Sequence, residues 1–436
     1  MPAPAPSGVA VTVDEDEGPV ALERQLMGRL DEFGITRMAD TSGLDRLAIP
    51  THSCVRPTDL DHIWVYSGKG TSCAQSRVSA VLEAVERTSA LWDAARVVRG
   101  RAAALGPVLT PELFSEWFPG YQPDKEMALV QARRVGDDEP VLVPADLAFA
   151  GRRPPIAGPR DAARGNSNGL ACSTALDDAL TRALLEVIER DAVSFADLRA
   201  SALAASFLSS LRRLLGLPEE GGDGPGVHDD PSVAQTIGLA SLPPLVAALV
   251  ERFHAVGLQV TLKHIPTPTG VPTIGAAAFE RVSFGSVLAT AGYASRFRVA
   301  DAAVAALLEL AQSRSTDLQG SREDCATSEK ARLDEVPATH WMVRSDGDGV
   351  AMSDLDDACA DISVVELAER VRASGAHDVA YVEFPRYDGL TTARVLAPGV
   401  ETWHATHGHS GLGVRLRRLY GDGGGSGDGG YGGGTR

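Results

Sequence analysis

Two stretches of this chain, about a hundred residues apart, share one pattern that constrains the fold more than any other feature. The later stretch, residues 165–191 (GNSNGLACSTALDDALTRALLEVIERD), begins as a polar, glycine-containing loop and continues into a predicted helix. On that helix Glu186, Glu189 and Arg190 fall at positions i, i+3 and i+4, so they share one face. Such a face is costly to bury unless something binds to it.

The earlier stretch, residues 67–87 (SGKGTSCAQSRVSAVLEAVER), repeats this arrangement. A glycine loop again leads into a predicted helix. Ser79, Glu83, Glu86 and Arg87 then lie within an arc of roughly 100° on that helix. A loop followed by an ExxER helix, occurring twice in one chain, is unlikely to arise by chance.

A third predicted helix, residues 299–314, carries Glu309, Gln312 and Arg314. For any one such helix, the ordinary interpretation is a solvated face with ion pairs inside the helix. The repetition argues against that interpretation here. It stays open for Arg314, which falls about 140° from Glu309 around the helix axis.

The composition excludes several classes of protein. The 436 residues carry a formal net charge of −17, whereas nucleic-acid binders cluster Lys and Arg against phosphates. No window approaches the roughly twenty apolar residues of a membrane span, and the N-terminus lacks a basic region followed by an apolar one. We therefore expect a cytoplasmic protein that binds neither nucleic acid nor membranes.

The cysteines show neither a CxxC pair nor zinc-site spacing, so we expect free thiols in a reducing compartment. Cys73 and Cys172 lie inside the two motif loops, where we expect small buried residues. His404, His407 and His409 would suggest a metal site, but no acidic or thiolate partner is near them in sequence. We expect a solvated loop there.

Local patterns place further elements along the chain. Composition predicts disorder in residues 1–18 and 421–436 and a flexible loop at 216–231. The first motif helix is expected to run to about residue 95, and a glycine-containing turn at 289–293 to precede the third. Helices are also predicted at 19–33, 111–117, 242–256 and within 355–373, with a polar loop at 315–350. Strands are predicted at 35–38, 50–55, 63–66, 128–133, 141–144, 259–265, 273–279, 379–384 and 393–396.

At the three motifs the chain resembles the YcaO family, whose members are ATP-dependent enzymes that activate peptide backbone amides. The resemblance rests on GKG followed by SxxxExxER, on SNGLA followed by ExxERD, and on ExxQxR. It extends through GITR and SGLDRLAIP near the N-terminus and spans roughly residues 33–400. Each motif alone is weak, but three in this order are specific.

The resemblance implies an α/β fold in which two similar sheet-plus-helix halves enclose a nucleotide site. The halves would be residues 19–160 and 161–420 of one catalytic domain, 19–420. Family analogy and the prevalence of two-fold oligomers favour a homodimer. We find no leader-binding domain in the chain. Recognition of a precursor peptide is therefore expected to need a TfuA-like or leader-binding partner protein.

The resemblance also implies ATP and Mg²⁺ as cofactors. Carboxylates and a triphosphate repel each other unless two or more Mg²⁺ ions lie between them. No P-loop sequence is present, so the helix faces would grip the phosphates. The expected magnesium ligands are Glu83, Glu86, Glu186, Glu189 and Glu309. The expected ATP-binding residues are Lys69, Ser79, Arg87, Asn168, Arg190, Gln312 and Arg314.

The implied reaction adds a nucleophile to a backbone amide and phosphorylates the resulting oxyanion. Sulfide would give a thioamide, and a neighbouring Cys, Ser or Thr side chain would give an azoline. Azoline-forming members commonly end in a PxPxP tail, whereas this chain ends in glycine-rich sequence. Residues 394–403 (RVLAPGVETW) look like the PGLE text of TfuA-associated members. We therefore expect a thioamide, with an azoline as the alternative.

One position departs from the family pattern. Ala302 stands where the third motif usually has Ser, so a hydrogen bond near the metal or nucleotide is expected to be lost. Two other classes of protein are alternatives to a peptide-modifying enzyme: a nucleotide-binding subunit without catalysis, and an ATP-grasp-like ligase or kinase acting on a small molecule. The intact set of glutamates argues against the first, and the loop-helix repeat argues against the second.

Overall fold

The computed structural model describes residues 17–57, 63–109, 126–150, 167–215, 233–283, 286–319, 341–343, 349–358 and 362–401. Residues 17 and 18, expected to be disordered, belong instead to the first helix. The expectations for residues 1–16 and 421–436, for the loop at 216–231, for the helix at 111–117 and for the histidines at 404–409 lie outside the described residues. The fold is mixed α/β, as predicted. No helix in these ranges is both long enough and apolar enough to cross a membrane.

The first and third motif helices differ in length from the sequence prediction. The first ends at Ser89, because the side chain of Asp93 accepts a hydrogen bond from the backbone of Ala95 and caps a new turn. The third continues to Gln319 instead of ending before a loop. The helices are α1 (Glu17–Met27), α2 (Cys73–Ser89), α3 (Ala102–Leu105), α4 (Ala145–Ala148), α5 (Leu176–Leu215), α6 (Pro244–Ala255), α7 (Val299–Gln319) and α8 (Val364–Ser374).

The described strands include counterparts of all nine predicted ones. They are β1 (Arg37–Asp40), β2 (Thr51–Pro57), β3 (Ile63–Lys69), β4 (Val97–Arg101), β5 (Glu126–Arg134), β6 (Pro140–Pro144), β7 (Leu170–Ser173), β8 (Gln235–Thr236), β9 (Gln259–His264), β10 (Thr273–Ser283), β11 (Ser286–Ser295), β12 (Ala380–Tyr387) and β13 (Leu390–Leu396).

These strands form three sheets whose neighbouring strands pair antiparallel. One has the order β1-β2-β3 and a second the order β11-β10-β9-β8. The third has the order β4-β5-β12-β13-β7, with β6 also paired to β5. Each motif helix follows a strand directly: α2 follows β3, α5 follows β7, and α7 follows β11. The strand ends therefore set where each helix begins.

The predicted turn at 289–293 is wrong, because these residues lie in β11. The glycine there serves close packing instead of a turn. A Cβ atom on Gly292 would come within 3.0 Å of the backbone of Ala306 and Leu310 in α7. Only a residue without a side chain lets the strand approach the helix so closely.

The glycine of the first motif loop plays the same part. Gly68 lies in β3, and a Cβ atom there would come within 3.0 Å of the backbone of Ser76 and Ala80 in α2. Strand–helix units β3–α2 and β11–α7 thus share one packing device. It places Lys69, the last residue of β3, beside the helices.

Helix α7 also buries an apolar face. Ala302, Ala306 and Leu310 are fully buried and belong to a core that includes residues of α6 and the four-stranded sheet. Ala302 is therefore a core position. In this fold the absence of a hydroxyl at Ala302 favours packing.

A buried ionic network fixes the far side of α7. Arg314 is only 2% exposed, and its Nε lies 2.8 Å from Asp45 and its Nη2 3.0 Å from Glu280. Asp45 precedes β2, and Glu280 belongs to β10. Arg314, expected to bind ATP, instead links α7 to the segment before β2 and to β10. This matches its position about 140° from Glu309.

Replacing Arg314 with methionine should lower the free energy of unfolding by about 3 kcal/mol, because Asp45 keeps a buried charge without its partner. Urea denaturation would measure the loss. Adding Asp45→Asn should restore part of it, and Arg101→Met on the exposed surface of β4 is the control. A fully stable Arg314→Met protein that no longer binds ADP would instead assign Arg314 to the nucleotide.

Candidate functional site

The three motif helices bring their acidic faces to one place. The carboxyl groups influence one another across helices: Glu86 of α2 with Glu186 of α5, and Glu186 with Glu309 of α7. We call these glutamates, together with the cations beside them, the carboxylate cluster. Its members are Lys69, Glu83, Glu86, Arg87, Glu186, Glu189, Arg190 and Glu309.

The shortest contact in the cluster joins distant parts of the chain. Lys69 Nζ donates to Glu309 Oε2 at 2.5 Å, so the end of β3 is tied to the middle of α7. Gln312 makes a parallel connection, since its Nε2 donates to the backbone oxygen of Ser67 at 2.5 Å. The backbone of Tyr293 also donates to Glu309. These contacts hold α7 against the first motif.

The arginines pair within their own helices. Arg87 lies 3.6 Å from Glu83 and 3.6 Å from Glu86. Arg190 lies 3.5 Å from Glu189 and 3.9 Å from Glu186. These separations are longer than hydrogen bonds, so the guanidinium groups interact with the carboxylates by charge. Both guanidinium groups lie where they could bind an anion that enters the cluster.

The side chains of the cluster are largely buried. That of Glu189 is 8% exposed, that of Glu86 is 18% exposed, and those of Glu186 and Glu309 are 27% and 25% exposed. Electrostatic interactions between such partly buried groups are stronger than on an open surface.

Burial dominates the ionisation of the cluster. It raises the pKa of Glu86 well above its ordinary value, and it raises the pKa of Glu186. It raises the pKa of Glu189 to about 8, where Arg190 opposes the rise and Glu309 adds to it. Burial is therefore the main reason that these three glutamates hold a proton more readily than an exposed glutamate does.

Glu309 is the exception. Burial acts to raise its pKa, but Lys69 and Arg190 together outweigh burial and hold the pKa below the ordinary value. Glu309 is therefore the anchored anion of the cluster. Protons are held more readily by Glu86, Glu186 and Glu189.

Sequence reasoning missed one cation of the site. Arg394 in β13 is 1% exposed, and burial lowers its pKa to about 10 although Glu186 and Glu86 favour its charge. It lies opposite Leu170 of β7 in the sheet. The signal in the sequence is an arginine inside the apolar strand pattern TTARVLA, since a charged residue at a buried strand position is unusual.

Two further expected ATP-binding residues lie in the first two motifs, and their role stays a prediction. Ser79 is half-buried on α2, one turn before Glu83. Asn168 is half-buried in the turn that precedes β7. Arg314 does not join them. Cys172 is buried, and burial raises its pKa to about 12, whereas Cys73 is exposed, contrary to expectation.

The cluster suits hard divalent cations that arrive with a ligand. Among the described residues no three His, Cys, Asp or Glu side chains are grouped closely enough to hold a metal ion by themselves. Mg²⁺ seldom needs such a cage, because it keeps water and binds one or two carboxylates plus phosphate oxygens. Oxygen donors on three helices, with cations beside them, fit that mode of binding.

The raised pKa of Glu189 predicts a pH-dependent weakness of the ligand-free protein. Stability that depends on a protonated Glu189 is full below pH 4.5 and is lost as the pH rises through about 8. Glu189→Gln should therefore raise the Tm relative to the parent protein, by a few degrees at pH 8 and by less at pH 5. Thermal unfolding monitored by circular dichroism would measure it.

The matched control is Glu251→Gln on the exposed side of α6, which should leave the Tm almost unchanged at either pH. A Tm difference between Glu189→Gln and the parent that stays constant from pH 5 to pH 8 would show that Glu189 is ionised throughout.

Sequence comparisons connect this site with known proteins. A protein 32% identical over 391 residues, from Methanothermobacter thermautotrophicus, is named only as uncharacterized; the match covers 86% of this chain and 92% of the relative. A second, from Rhizobium leguminosarum bv. trifolii, is named for its place in the tfuA 3' region. It is 25% identical over 414 residues, covering 91% of this chain and 90% of the relative.

Solved structures share the fold. YcaO from Methanopyrus kandleri, bound with AMPPCP and Mg²⁺, is 23% identical with a TM-score of 0.66, covering 90% of this chain and 94% of that one. A chain of the E. coli microcin synthetase McbBCD complex with pro-MccB17 bound is 15% identical with a TM-score of 0.57, covering 87% and 94%.

The family comparison covers most of the chain. A model of the YcaO cyclodehydratases, described as ATP- and Mg²⁺-binding, matches residues 67–401, which include the whole carboxylate cluster and Arg394. On this match, and with the carboxylate cluster assembled from its three motifs, the chain belongs to the YcaO family.

Proposed function

We propose that this protein uses ATP and Mg²⁺ to convert a backbone amide of a ribosomally synthesised precursor peptide into a thioamide. One observation carries the proposal: partly buried glutamates from three helices come together, with Lys69, Arg87 and Arg190 among them. A cluster of carboxylates and cations of this kind suits polyphosphate bound through Mg²⁺. The family to which the chain belongs is described in the same terms.

Each group in the cluster has a separate task in this proposal. Glu83, Glu86, Glu186, Glu189 and Glu309 are the carboxylates that would hold the Mg²⁺ ions. Lys69, Arg87 and Arg190 would neutralise phosphate oxygens, and Arg394 would favour the ionised forms of the nearby Glu86 and Glu186. Bound ATP supplies a phosphoryl group that turns the amide oxygen into a good leaving group. The chain contributes position and charge.

The reaction balances with sulfide as the nucleophile. Sulfide adds to the amide carbon, and the oxyanion formed there takes the terminal phosphoryl group of ATP, which releases ADP. The carbon–oxygen bond then breaks, phosphate leaves with that oxygen, and the carbon–sulfur double bond forms as a proton is lost. Oxygen is replaced by sulfur at the cost of one ATP.

Two observations favour the thioamide product. The Rhizobium relative is named for its position beside tfuA, and residues 394–403 look like the corresponding text of TfuA-associated members. We propose a TfuA-like partner protein and a homodimer of this chain. Cytoplasmic location, suited to both ATP and reduced sulfur, belongs to the same proposal.

An azoline-forming activity is the second candidate. It is favoured by the family description as cyclodehydratases and by the likeness to the microcin synthetase chain. In that case a Cys, Ser or Thr side chain of the peptide replaces sulfide as the nucleophile. A nucleotide-binding subunit without catalysis is a third possibility, which the complete set of glutamates and cations in the cluster argues against.

Calorimetric titration of ADP into the purified protein should reveal Mg²⁺-dependent binding. Glu186→Ala and Glu83→Ala should each weaken it by at least about tenfold, or 1.4 kcal/mol, because each removes a carboxylate from the metal-holding set. Glu251→Ala, on the exposed face of α6, should bind like the parent protein. Binding that survives both cluster substitutions would make the carboxylates structural.

Mass analysis of a candidate precursor peptide distinguishes the two products. The peptide would be incubated with the protein, the proposed TfuA-like partner protein, ATP, Mg²⁺ and sulfide. A thioamide appears as exchange of oxygen for sulfur, and an azoline as loss of water. Product that forms without sulfide would refute the thioamide. ATP turnover that is the same with and without peptide, beside an unchanged peptide mass, would refute peptide modification.

A further inference from the structure

Lys69 and Glu309 form the closest ion pair of the carboxylate cluster. Lys69 Nζ donates to Glu309 Oε2 at 2.5 Å, whereas Arg87 and Arg190 lie 3.5 Å or more from the glutamates of their own helices. The side chains of the pair are 24% and 25% exposed. The proposed function gives these two groups separate tasks, since Glu309 would hold metal and Lys69 would neutralise phosphate. In the protein alone they bind each other.

The backbone that carries Lys69 is fixed on both sides of this residue. On one side Gly68 packs directly against the backbone of α2. On the other side the N–H group of Gly70 donates to the carbonyl oxygen of Pro50 at 3.2 Å. The lysine side chain, in contrast, is a flexible four-carbon stem with a point charge at its end. The ammonium group can therefore change partners while the strand stays in place.

Glu309 is held in position by its surroundings. Gly292 of β11 packs against the backbone of α7 at this point of the helix, and the backbone of Tyr293 donates to the Glu309 carboxylate. One turn further along the helix, Gln312 Nε2 donates to the backbone oxygen of Ser67 at 2.5 Å. The carboxylate is thus the fixed member of the pair, and the ammonium group is the movable one.

The charge of Lys69 sets the ionisation of Glu309. Burial acts to raise the pKa of Glu309, but Lys69 and Arg190 outweigh burial and hold it below the ordinary value. For Glu189, by contrast, burial prevails over Arg190 and raises the pKa to about 8. Lys69 therefore gives Glu309 the positive neighbour that a metal ion would otherwise provide.

A divalent cation that arrives alone meets an obstacle at Glu309. It would bind a carboxylate oxygen at about 2 Å, next to the ammonium group that already contacts this carboxylate, and the two cations would repel each other. Expelling the ammonium group would leave it without an anion to receive it. The described part of the chain also lacks a ready group of three metal-binding side chains. Metal alone should therefore bind weakly.

A nucleotide removes this obstacle. Its phosphate oxygens offer the ammonium group of Lys69 a new anionic partner, and they supply the metal with ligands in addition to the carboxylates. The Lys69–Glu309 ion pair is then replaced by two favourable contacts, one between Lys69 and phosphate and one between Glu309 and the metal. Metal and phosphate should therefore enter the cluster together.

We propose that Lys69 makes the cluster specific for a divalent cation bound to phosphate over the same cation alone. Its ammonium group occupies Glu309 until phosphate arrives and then moves to a phosphate oxygen, which frees Glu309 for Mg²⁺. This inference deepens the proposed function and rests on it for the identity of the ligand as ATP. The competition between Lys69 and a metal ion for Glu309 does not depend on what ATP is used for.

Electron paramagnetic resonance of free Mn²⁺, used in place of Mg²⁺, tests the competition. Mn²⁺ alone should bind Lys69→Met at least about tenfold more tightly than the parent protein, because the competing ammonium group is gone. The preformed complex of Mn²⁺ with a nonhydrolysable ATP analogue, titrated by calorimetry, should not share this gain, because the phosphate loses its cation. A merely structural role of Lys69 would weaken both.

Three further variants locate the effect. Lys69→Arg keeps the positive charge and should bind Mn²⁺ alone no more tightly than the parent protein. In a Glu309→Gln protein, adding Lys69→Met should change the Mn²⁺ affinity by less than about twofold, because the pair is already broken. Arg101→Met, exposed on β4, should match the parent protein. The full gain in the Glu309→Gln background would overturn the proposal.

The same titrations separate this inference from the proposed function. If the parent protein does not bind the Mn²⁺–analogue complex, the proposed function fails, although tighter binding of Mn²⁺ alone to Lys69→Met would still support the competition at Glu309. If the parent protein binds the complex but Lys69→Met gains nothing for Mn²⁺ alone, the inference fails and nucleotide binding stands. A gain for the complex as large as that for Mn²⁺ alone would also overturn the inference.

Discussion

The burial of several carboxylates in one place is the constraint on which the rest of this structure depends. Five glutamates approach from three helices, and burial, together with the charges of neighbouring carboxylates, raises the pKa values of Glu86, Glu186 and Glu189 although cations lie among them. Such an arrangement is unfavourable in the ligand-free protein. Divalent cations and phosphates would complete the set of charges.

Holding those helices against their own repulsion requires a stiff scaffold. Gly68 and Gly292 let β3 and β11 pack directly on the backbones of α2 and α7, with no side chain between. Helix α7 is fixed on both sides: Lys69 contacts Glu309 within the cluster, while Arg314 is held by Asp45 on the opposite side. The same helix thus serves the site with one face and the fold with the other.

Much of this could be predicted from residue spacing. Helical periodicity put Glu83 with Glu86 and Glu186 with Glu189 on shared faces, and the apolar alternation located the strands, because both are local properties of the chain. Local patterns failed where long-range packing decided. Gly292 was predicted to form a turn, but it lies in β11, where it packs against α7. Arg394 could not be recognised as a residue of the site, because the carboxylates near it lie on other elements.

The sequence by itself determined the chemistry of the site: which carboxylates and cations exist, which of them share a helix face, and that phosphate and magnesium suit them. Only the tertiary structure decided which faces meet. It turned Arg314 away to Asp45 and brought Arg394 close enough to Glu186 for their charges to interact. The physical reason is that a helix or strand specifies directions around its own axis, whereas contacts between elements depend on how their buried surfaces fit.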